Sequence, residues 1–396
     1  MFKSSWKTGI DIICSLGFCI VLLLGCQTKE DKTHLQDRII GVKIYNHQGE
    51  LSPLFSQWKE LGINTVFSSI SMYSNHEFRK LAKKNNITTF IIIPIFFDPE
   101  ALRENPNLYS ITNQGKKAKD DWVTFVCPSR EKFRKQKIES VKKLIRDLDP
   151  DGLSIDFIRY FVFWEKVYPE TNLDSIQNTC FDSVCLNSFQ KKTKTTIPDS
   201  TTTPGEIADW IKSNHFTEWT QWKCELITSM IRDITQEARK LKPEIAINVH
   251  IVPWRQNDFN GAIKSVVGQD VSEIEKYVDY LSPMTYAHMV KREPSWVHSV
   301  VQDIYQQTES KIIPSIQVKE AYLGDTLFIE EFRESLMEAL KPPSHGVIFW
   351  AWEMLEQYPQ KKDVIQAIPV ISSSLYPQNT RFAFYRNIHP LVNRRR

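Results

Sequence analysis

The ten residues "DGLSIDFIRY" (151–160) place an aspartate, an arginine and a tyrosine at the end of an otherwise apolar run. Continuous apolar runs of this length are typical of strands in a parallel sheet that helices cover. If residues 152–160 form such a strand, alternation puts Ser154 and Asp156 on one face and the bulky apolar side chains on the other. The apolar face would pack on helices, so Asp156 would point into the mouth of a closed sheet.

Seven further short apolar runs alternate with stretches of helical spacing. With the first run, they are residues 38–45, 63–69, 88–96, 152–160, 244–252, 278–286, 311–318 and 346–352. Eight strand–helix units predict an α/β fold, namely a single (β/α)8 TIM barrel over residues 38–370. A doubly wound open sheet is the alternative, but no glycine-rich first turn supports it.

The longest connection, residues 161–215, follows the fourth strand. In such barrels the loops after strands form the active face, so this insertion is predicted to shape a binding cleft. Residues 371–396 fall outside the strand–helix pattern and receive no assignment.

The N-terminal 26 residues have the layout of a secretory signal, with a short cationic leader and the apolar run "IICSLGFCIVLLLG". The end of this run, "LLGC", resembles the lipobox of bacterial lipoproteins, which implies diacylation of Cys26. Residues 27–37 would then be a flexible polar tether. An uncleaved anchor helix is the alternative, but the run is shorter than the ~20 residues that a membrane span needs. Either interpretation places the protein in the bacterial cell envelope, on the periplasmic or surface face of a membrane.

The charge balance and the cysteines limit the kinds of binding partner and cross-link that the sequence predicts. Lys and Arg number 50 against 47 Asp and Glu, so nothing predicts a nucleic-acid partner, and no pattern predicts a cofactor, a metal or an oligomeric state. Cys127, Cys180, Cys185 and Cys224 remain after the leader. An oxidising compartment favours disulfides, and Cys180 and Cys185 are close enough in sequence to pair. A metal site built from the four is the alternative, although no C-x-x-C spacing is present.

Polar and aromatic residues recur where the predicted strands end, and these ends meet around one pocket. They are Tyr45, Asp156, Arg159, Tyr160, His250, Trp254, Tyr286, His288, Gln317, Glu320, Trp350, Trp352 and Glu353. Aromatic faces suit the apolar C–H faces of sugar rings, while carboxylates and arginine bind hydroxyls. The pattern therefore predicts a carbohydrate ligand.

The motif "DGLSIDFIRY", with "VDYLSPMTYAHM" and "GVIFWAWE", resembles a large group of glycosidase-like barrel proteins whose fourth strand reads Asp-Gly-x-x-x-Asp-x-x-Arg-Tyr. "CFDSVCLNSFQ" looks like the cysteine-bearing loop of some members. Chitinase-like barrels are more distantly similar, but Ile158 stands at the position of their catalytic glutamate and Ala287 replaces their aspartate after Met-Thr-Tyr. Substrate-assisted chitinase chemistry is therefore not expected.

The resemblance implies a membrane-anchored glycoside hydrolase that acts on an extracellular or periplasmic saccharide. Such enzymes use two carboxyl groups. We predict Asp156 as the ionised one, with Arg159 lowering its pKa, and Glu353 as the acid, while Glu320, Glu165 and Glu170 stay as alternatives for the acid.

Two other functions remain open. A glycan-binding lipoprotein could have lost one carboxylate, as Ile158 suggests. A metal-dependent hydrolase would need His250 and His288.

Overall fold

Eight parallel strands form one curled sheet in the computed structural model, which describes residues 38–368. They are β1 (Ile39–Ile44), β2 (Thr65–Ser68), β3 (Thr88–Pro94), β4 (Gly152–Asp156), β5 (Ala246–Ile251), β6 (Tyr280–Pro283), β7 in two pieces (Lys311–Ile312 and Ser315–Gln317) and β8 (Gly346–Trp350). Every strand of this sheet lies within one of the predicted apolar runs, and a separate antiparallel pair, Lys119–Asp120 with Val123–Thr124, lies outside them. The prediction of an α/β barrel is therefore confirmed.

The sheet curls back on itself, because β1 pairs with β8 on one side and β2 on the other. Each remaining strand pairs in parallel with its neighbours in the chain, as a barrel requires. The break in β7 falls at Pro314, which has no N–H to donate to a ladder. A single bridge between Met284 and Ser315 joins the strand ends there, so the barrel is only partly closed.

Helices cover the outer face of the sheet. They are α1 (Leu51–Glu60), α2 (Ile70–Ser74), α3 (His76–Lys84), α4 (Pro99–Glu104), α5 (Glu131–Leu148), α6 (Ser183–Thr193), α7 (Pro204–Asn214), α8 (Phe216–Leu241), α9 (Ala262–Ser265), α10 (Val271–Ile274), α11 (Ser295–Tyr305), α12 (Ile329–Leu340), α13 (Trp352–Leu355) and α14 (Pro359–Gln366). Local signals set several of the starts: Thr203 and Glu206 form a capping box at α7. Between residues 38 and 368, no helix is both long and apolar enough to span a bilayer.

The barrel interior has an apolar lower layer and a polar upper layer. Phe67, Phe90, Ile92, Ile313 and Ile348 fill the lower layer. Gly152 is required there, because a Cβ at this position would lie 2.3 Å from the ring of Phe90. The polar layer above it faces the carboxyl ends of the strands.

The long connection after β4 carries α6 and α7 and docks on the loop after β3. Phe181 N donates to Ile111 O at 2.9 Å, and Asn113 N donates to Asn178 O at 2.9 Å. The predicted Cys180–Cys185 disulfide is absent: Cys127, Cys180, Cys185 and Cys224 are all buried free thiols.

The predicted leader and lipidated Cys26 (1–26), the tether (27–37) and the tail (371–396) lie outside the described residues.

Candidate active site

Asp156 is the last residue of β4, at the carboxyl end of the barrel. Its side chain is largely enclosed (7% exposed), and Oδ1 accepts a hydrogen bond from Phe157 N at 2.7 Å. Phe157 has a φ of +49°, in the left-handed region that a bulky residue adopts at a cost of about 1–3 kcal/mol. The strand alternation therefore ends at Asp156, and a strained turn directly follows the carboxylate, as at many functional sites.

Glu165 is the second enclosed acid, and it lies near the start of the long connection, in the 3-10 turn Trp164–Lys166. The residue is 9% exposed, and its Oε2 has no hydrogen-bond partner among residues 38–368. Burial raises the pKa of Glu165 to about 7, against the opposing charge of Arg159 and with a further rise from Asp156. Glu165 therefore holds a proton close to neutral pH, as a general acid must.

Arg159, which was predicted to lie beside Asp156, forms no ion pair with it among the described residues. Its buried guanidinium donates from Nη1 to Tyr160 O at 3.2 Å and Val162 O at 2.7 Å, and it lies over the ring of Phe125 at 4.7 Å. The carbonyls attract it because the turn after β4 buries them without other donors nearby. Arg159 thus orders the chain that leads to Glu165 and supplies positive charge between the two acids.

Lys43 of β1 is a further ionisable group at the mouth, and the sequence analysis missed it. Nζ lies 3.5 Å from His250 Nδ1 and 3.3 Å from Tyr286 Oη. Burial lowers the pKa of Lys43 to about 8, while the carboxylate of Asp156 raises it. Lys43 is therefore cationic at neutral pH.

His250 belongs to the polar upper layer. Burial and the charge of Lys43 lower its pKa to about 3, so the imidazole is neutral. Nε2 lies 2.8 Å from Ser154 Oγ, which also accepts a hydrogen bond from Asn248 Nδ2 at 2.9 Å. Ser282 Oγ donates to Asn248 Oδ1 at 2.7 Å. This network fixes the side chains below Asp156, and it gives His250 a structural partner at each nitrogen.

An aromatic wall stands beside the acids. The rings of Tyr286 and Trp350 are stacked, with centroids 4.6 Å apart and an interplanar angle of 18°. Trp164 lies 5.8 Å from Tyr286, next to Glu165. Tyr45 is partly exposed, and partial burial with the charges of Asp156 and Glu353 raises its pKa. Four predicted residues therefore converge with Asp156: Tyr45, Tyr286, Trp350 and Glu353.

The carboxylate of Glu353 has a structural partner in the chain after β1. Oε1 accepts hydrogen bonds from Tyr45 N at 2.5 Å and Asn46 N at 2.6 Å. Glu353 thereby ties the start of α13 to the end of β1. The predicted role of Glu353 as the acid stays a prediction, and the geometry favours Glu165 for it.

Two of the predicted binding residues are fully enclosed in the core. The ring of Tyr160 lies under Lys223 Nζ at 4.4 Å, on the side of the insertion that faces the cysteines. Trp352 packs edge-on against Trp58 at 5.8 Å, beneath the end of β8. Packing explains both residues, because the aromatic signal in sequence does not separate core rings from exposed ones.

The remaining predicted residues have partners around the rim. Gln317 is buried and bonds Met289 N at 2.9 Å and Lys319 O at 3.0 Å. Glu320 Oε2 accepts from Leu327 N at 3.4 Å. Trp254 packs on Phe259, with centroids 5.1 Å apart. The geometry assigns no substrate contact to these three residues.

An aromatic strap of Trp122 and Tyr322 crosses the barrel mouth. Trp122 Nε1 donates to Tyr322 Oη at 2.9 Å, although the loops that carry them follow β3 and β7 on opposite sides of the barrel. Both rings are exposed, at 43% and 41%, and each contacts Phe163. Trp122 also packs edge-on against Phe157, the residue after Asp156, with ring centroids 6.2 Å apart. Sequence gave no signal for the strap, since Trp122 and Tyr322 lie outside the predicted strands.

The two histidines of the metal hypothesis have separate partners. His288 Nδ1 lies 3.0 Å from Glu331 Oε1, and Nε2 lies 3.0 Å from Asp325 O. His250 points into the polar layer instead. No observation places the two on a common ion.

The chain is thus a parallel α/β barrel with enclosed acids and an aromatic wall at the carboxyl ends of its strands. The sequence matches no protein-family model, and no curated protein matches it. Comparison with solved structures does find this fold.

The chain resembles the glycoside hydrolase domain of PgaB (BpsB) from Bordetella bronchiseptica, with a TM-score of 0.61 and 14% identity over 83% of this chain and 98% of that domain. The β-galactosidase of Marinomonas ef1 gives a TM-score of 0.60 and 9% identity over 85% of this chain. That of Halorubrum lacusprofundi gives 0.60 and 10% over 85%. This chain spans 60% and 58% of those two galactosidases. The likeness establishes a glycosidase-type barrel fold.

Proposed function

We propose that this protein is a glycoside hydrolase that cleaves O-glycosidic bonds of a poly- or oligosaccharide, with Asp156 and Glu165 as its two carboxyl groups. The observation that carries the proposal is the pairing of two enclosed acids at the barrel mouth, one of which keeps a proton near pH 7. The glycoside hydrolase folds of the similar structures support the same class of reaction.

We propose a role for each group. Protonated Glu165 donates its proton to the glycosidic oxygen as the bond to the anomeric carbon breaks. Ionised Asp156 stabilises the positive charge that develops on the sugar, either by attacking the anomeric carbon or by deprotonating a water that does so. The carboxylate of Asp156 raises the pKa of nearby Lys43, which stays cationic at neutral pH.

The aromatic wall supplies a surface for the sugar ring. Stacked Tyr286 and Trp350 stand beside Asp156, where the C–H face of a pyranose can pack. Tyr45 and Lys43 offer hydrogen-bond donors to its hydroxyl groups.

The cellular placement belongs to the same proposal. We propose that the leader directs export and that Cys26 carries the lipid anchor, so that the barrel meets its glycan in the cell envelope. The lipobox-like "LLGC" supports this placement. Incorporation of labelled palmitate into the wild-type chain, but not into a Cys26→Ser variant, would test it.

The first experiment is a screen for reducing-sugar release by the full-length chain against bacterial, plant and host glycans. An Asp156→Asn variant run in parallel should release none. Release that is equal in both proteins would refute the assignment of Asp156.

A glycan-binding lipoprotein is the second candidate, favoured by the fully buried Ile158 at the position of the chitinase acid. Sugar binding by calorimetry with no product release across the panel would support it against the hydrolase.

Trp350→Ala should raise KM by about 3- to 10-fold with a smaller effect on kcat, because the substitution removes a stacking surface worth about 0.5–1.5 kcal/mol. Trp350→Phe keeps a ring opposite Tyr286 and should stay within about threefold of wild type. Steady-state kinetics on a hydrolysed glycan would decide, and equal KM values for the alanine and phenylalanine variants would contradict the assignment.

A further inference from the structure

Three cysteines and one carboxylate from separate parts of the chain converge behind the long connection. Cys127 lies in the loop after β3, shortly before α5. Cys180 lies within the connection after β4, and Asp182 and Cys185 lie at the start of α6. One ligand atom from each of the four lies within 4.8 Å of the others, and the three thiols are buried. The proposed hydrolysis at the barrel mouth uses none of these four residues.

The spacing suits one tetrahedral ion. Thiolates bound to zinc at about 2.3 Å lie about 3.8 Å from one another in a tetrahedron. Cys127 Sγ lies 3.1 Å from Cys185 Sγ, too far for a bond of about 2.05 Å and close enough to share an ion after small rotations. A disulfide would use two of the three cysteines and leave a buried thiol beside it.

Hydrogen-bond donors surround the cluster. Ile111 N donates to Cys180 Sγ at 3.3 Å, and Ser129 Oγ lies 3.1 Å from Cys185 Sγ. Arg130 Nη2 donates to Asp182 Oδ2 at 2.5 Å. Outer hydrogen bonds of this kind orient metal ligands.

A buried lysine lies near the cluster. Lys223 Nζ donates to three uncharged oxygens, Asn178 Oδ1, Ser265 O and Val266 O, at 2.6 to 3.0 Å. Burial lowers the pKa of Lys223 to about 7, while the neighbouring Cys224, Cys185 and Cys180 raise it. A zinc–thiolate centre with an excess of negative charge would stabilise the protonated form of Lys223.

We propose that Cys127, Cys180, Asp182 and Cys185 bind a structural zinc ion. Thiolate ligands select zinc among the common divalent ions, and four protein ligands leave no open position for catalysis. The ion joins the loop after β3 to the connection that carries Glu165. The connection after β4 begins at the barrel mouth near Glu165, and the ion would fix its later part, at Cys180 to Cys185.

The test measures metal directly, so it does not depend on the proposed hydrolase activity. The full-length chain, purified without chelators, should contain about one zinc per chain by mass spectrometry of the metal. Cys185→Ser should lose most of it. Cys224→Ser, which changes another buried cysteine outside the cluster, should keep it.

Cobalt gives a second readout if Cys185→Ser fails to fold. Wild-type protein, stripped with a chelator and loaded with Co²⁺, should show thiolate-to-cobalt charge-transfer absorption, which zinc then removes. A metal-free protein with reduced thiols would overturn the proposal. So would a disulfide between any two of Cys127, Cys180 and Cys185, mapped by peptide mass spectrometry.

Discussion

Glu165→Gln should lower kcat on natural glycans by about 10²- to 10⁴-fold, because glutamine cannot donate a proton to the leaving oxygen. An aryl glycoside with a strongly acidic phenol needs no such proton, so its hydrolysis should fall far less. The ratio of the two rates identifies Glu165 as the acid. Equal losses on both substrates would contradict that role. Glu353→Gln, tested on the same two substrates, decides whether Glu353 is the acid instead.

The raised pKa of Glu165 predicts that both activity and stability depend on pH. Wild-type activity should fall as pH rises through about 7, since Glu165 then loses its proton. The folded-state pKa lies above the ordinary value of 4.5, so ionisation of this buried group costs stability above pH 4.5, and the full cost is reached above pH 7. Glu165→Gln should therefore raise the free energy of unfolding by about 2–3 kcal/mol at pH 8 and far less at pH 4.5.

Glu170→Gln is the matched control for both measurements, because Glu170 is an exposed glutamate in the same loop. It should leave the pH profile and the unfolding midpoint unchanged. A stability gain at pH 8 equal to that of Glu165→Gln would mean that loop charge, and not burial of Glu165, causes the effect.

Asp156→Asn should reduce kcat by about a thousandfold or more on natural and aryl glycosides alike, since the asparagine amide neither attacks nor accepts a proton. The uniform loss distinguishes Asp156 from Glu165. The amide still can accept the hydrogen bond from Phe157 N, so the fold should persist. Unchanged circular dichroism with lost turnover is the expected result.

Asp151→Asn provides the control on the same strand. Asp151 lies at the opposite end of β4, where Oδ2 accepts from Thr89 N at 2.8 Å and Thr89 Oγ1 at 2.7 Å. Loss of part of this pairing should lower stability by about 1 kcal/mol and leave kcat within about twofold. Comparable kinetic losses in the two variants would show that β4 responds to any change and that Asp156 has no special role.

The fold could be predicted because its signal is local. Each barrel strand is a short apolar run between helical patterns. Strands of a parallel sheet are buried on both faces, so their apolar residues are continuous and do not alternate with polar ones. The ends of the strands were less certain. The run 152–160 was predicted as one strand, yet β4 ends at Asp156, because the positive φ of Phe157 turns the chain there.

The candidate site could be predicted only in part. Asp156 and Trp350 follow from strand ends, which topology brings together. Burial raises the pKa of Glu165 and lowers that of Lys43, and both effects depend on contacts between residues far apart in sequence. Arg159 was predicted to lower the pKa of Asp156, but its guanidinium donates to two nearby carbonyl oxygens.

If the proposed function is correct, the strap of Trp122 and Tyr322 constrains how a polymeric glycan can reach the acids. Its two loops begin on opposite strands and join by one hydrogen bond, so together with the barrel rim they form a ring of protein. A long glycan has two ways to enter such a ring: end first by threading, or sideways after the ring has opened. Threading retains the polymer after each cut and favours processive shortening from one terminus, whereas opening releases it and scatters the cuts along its length.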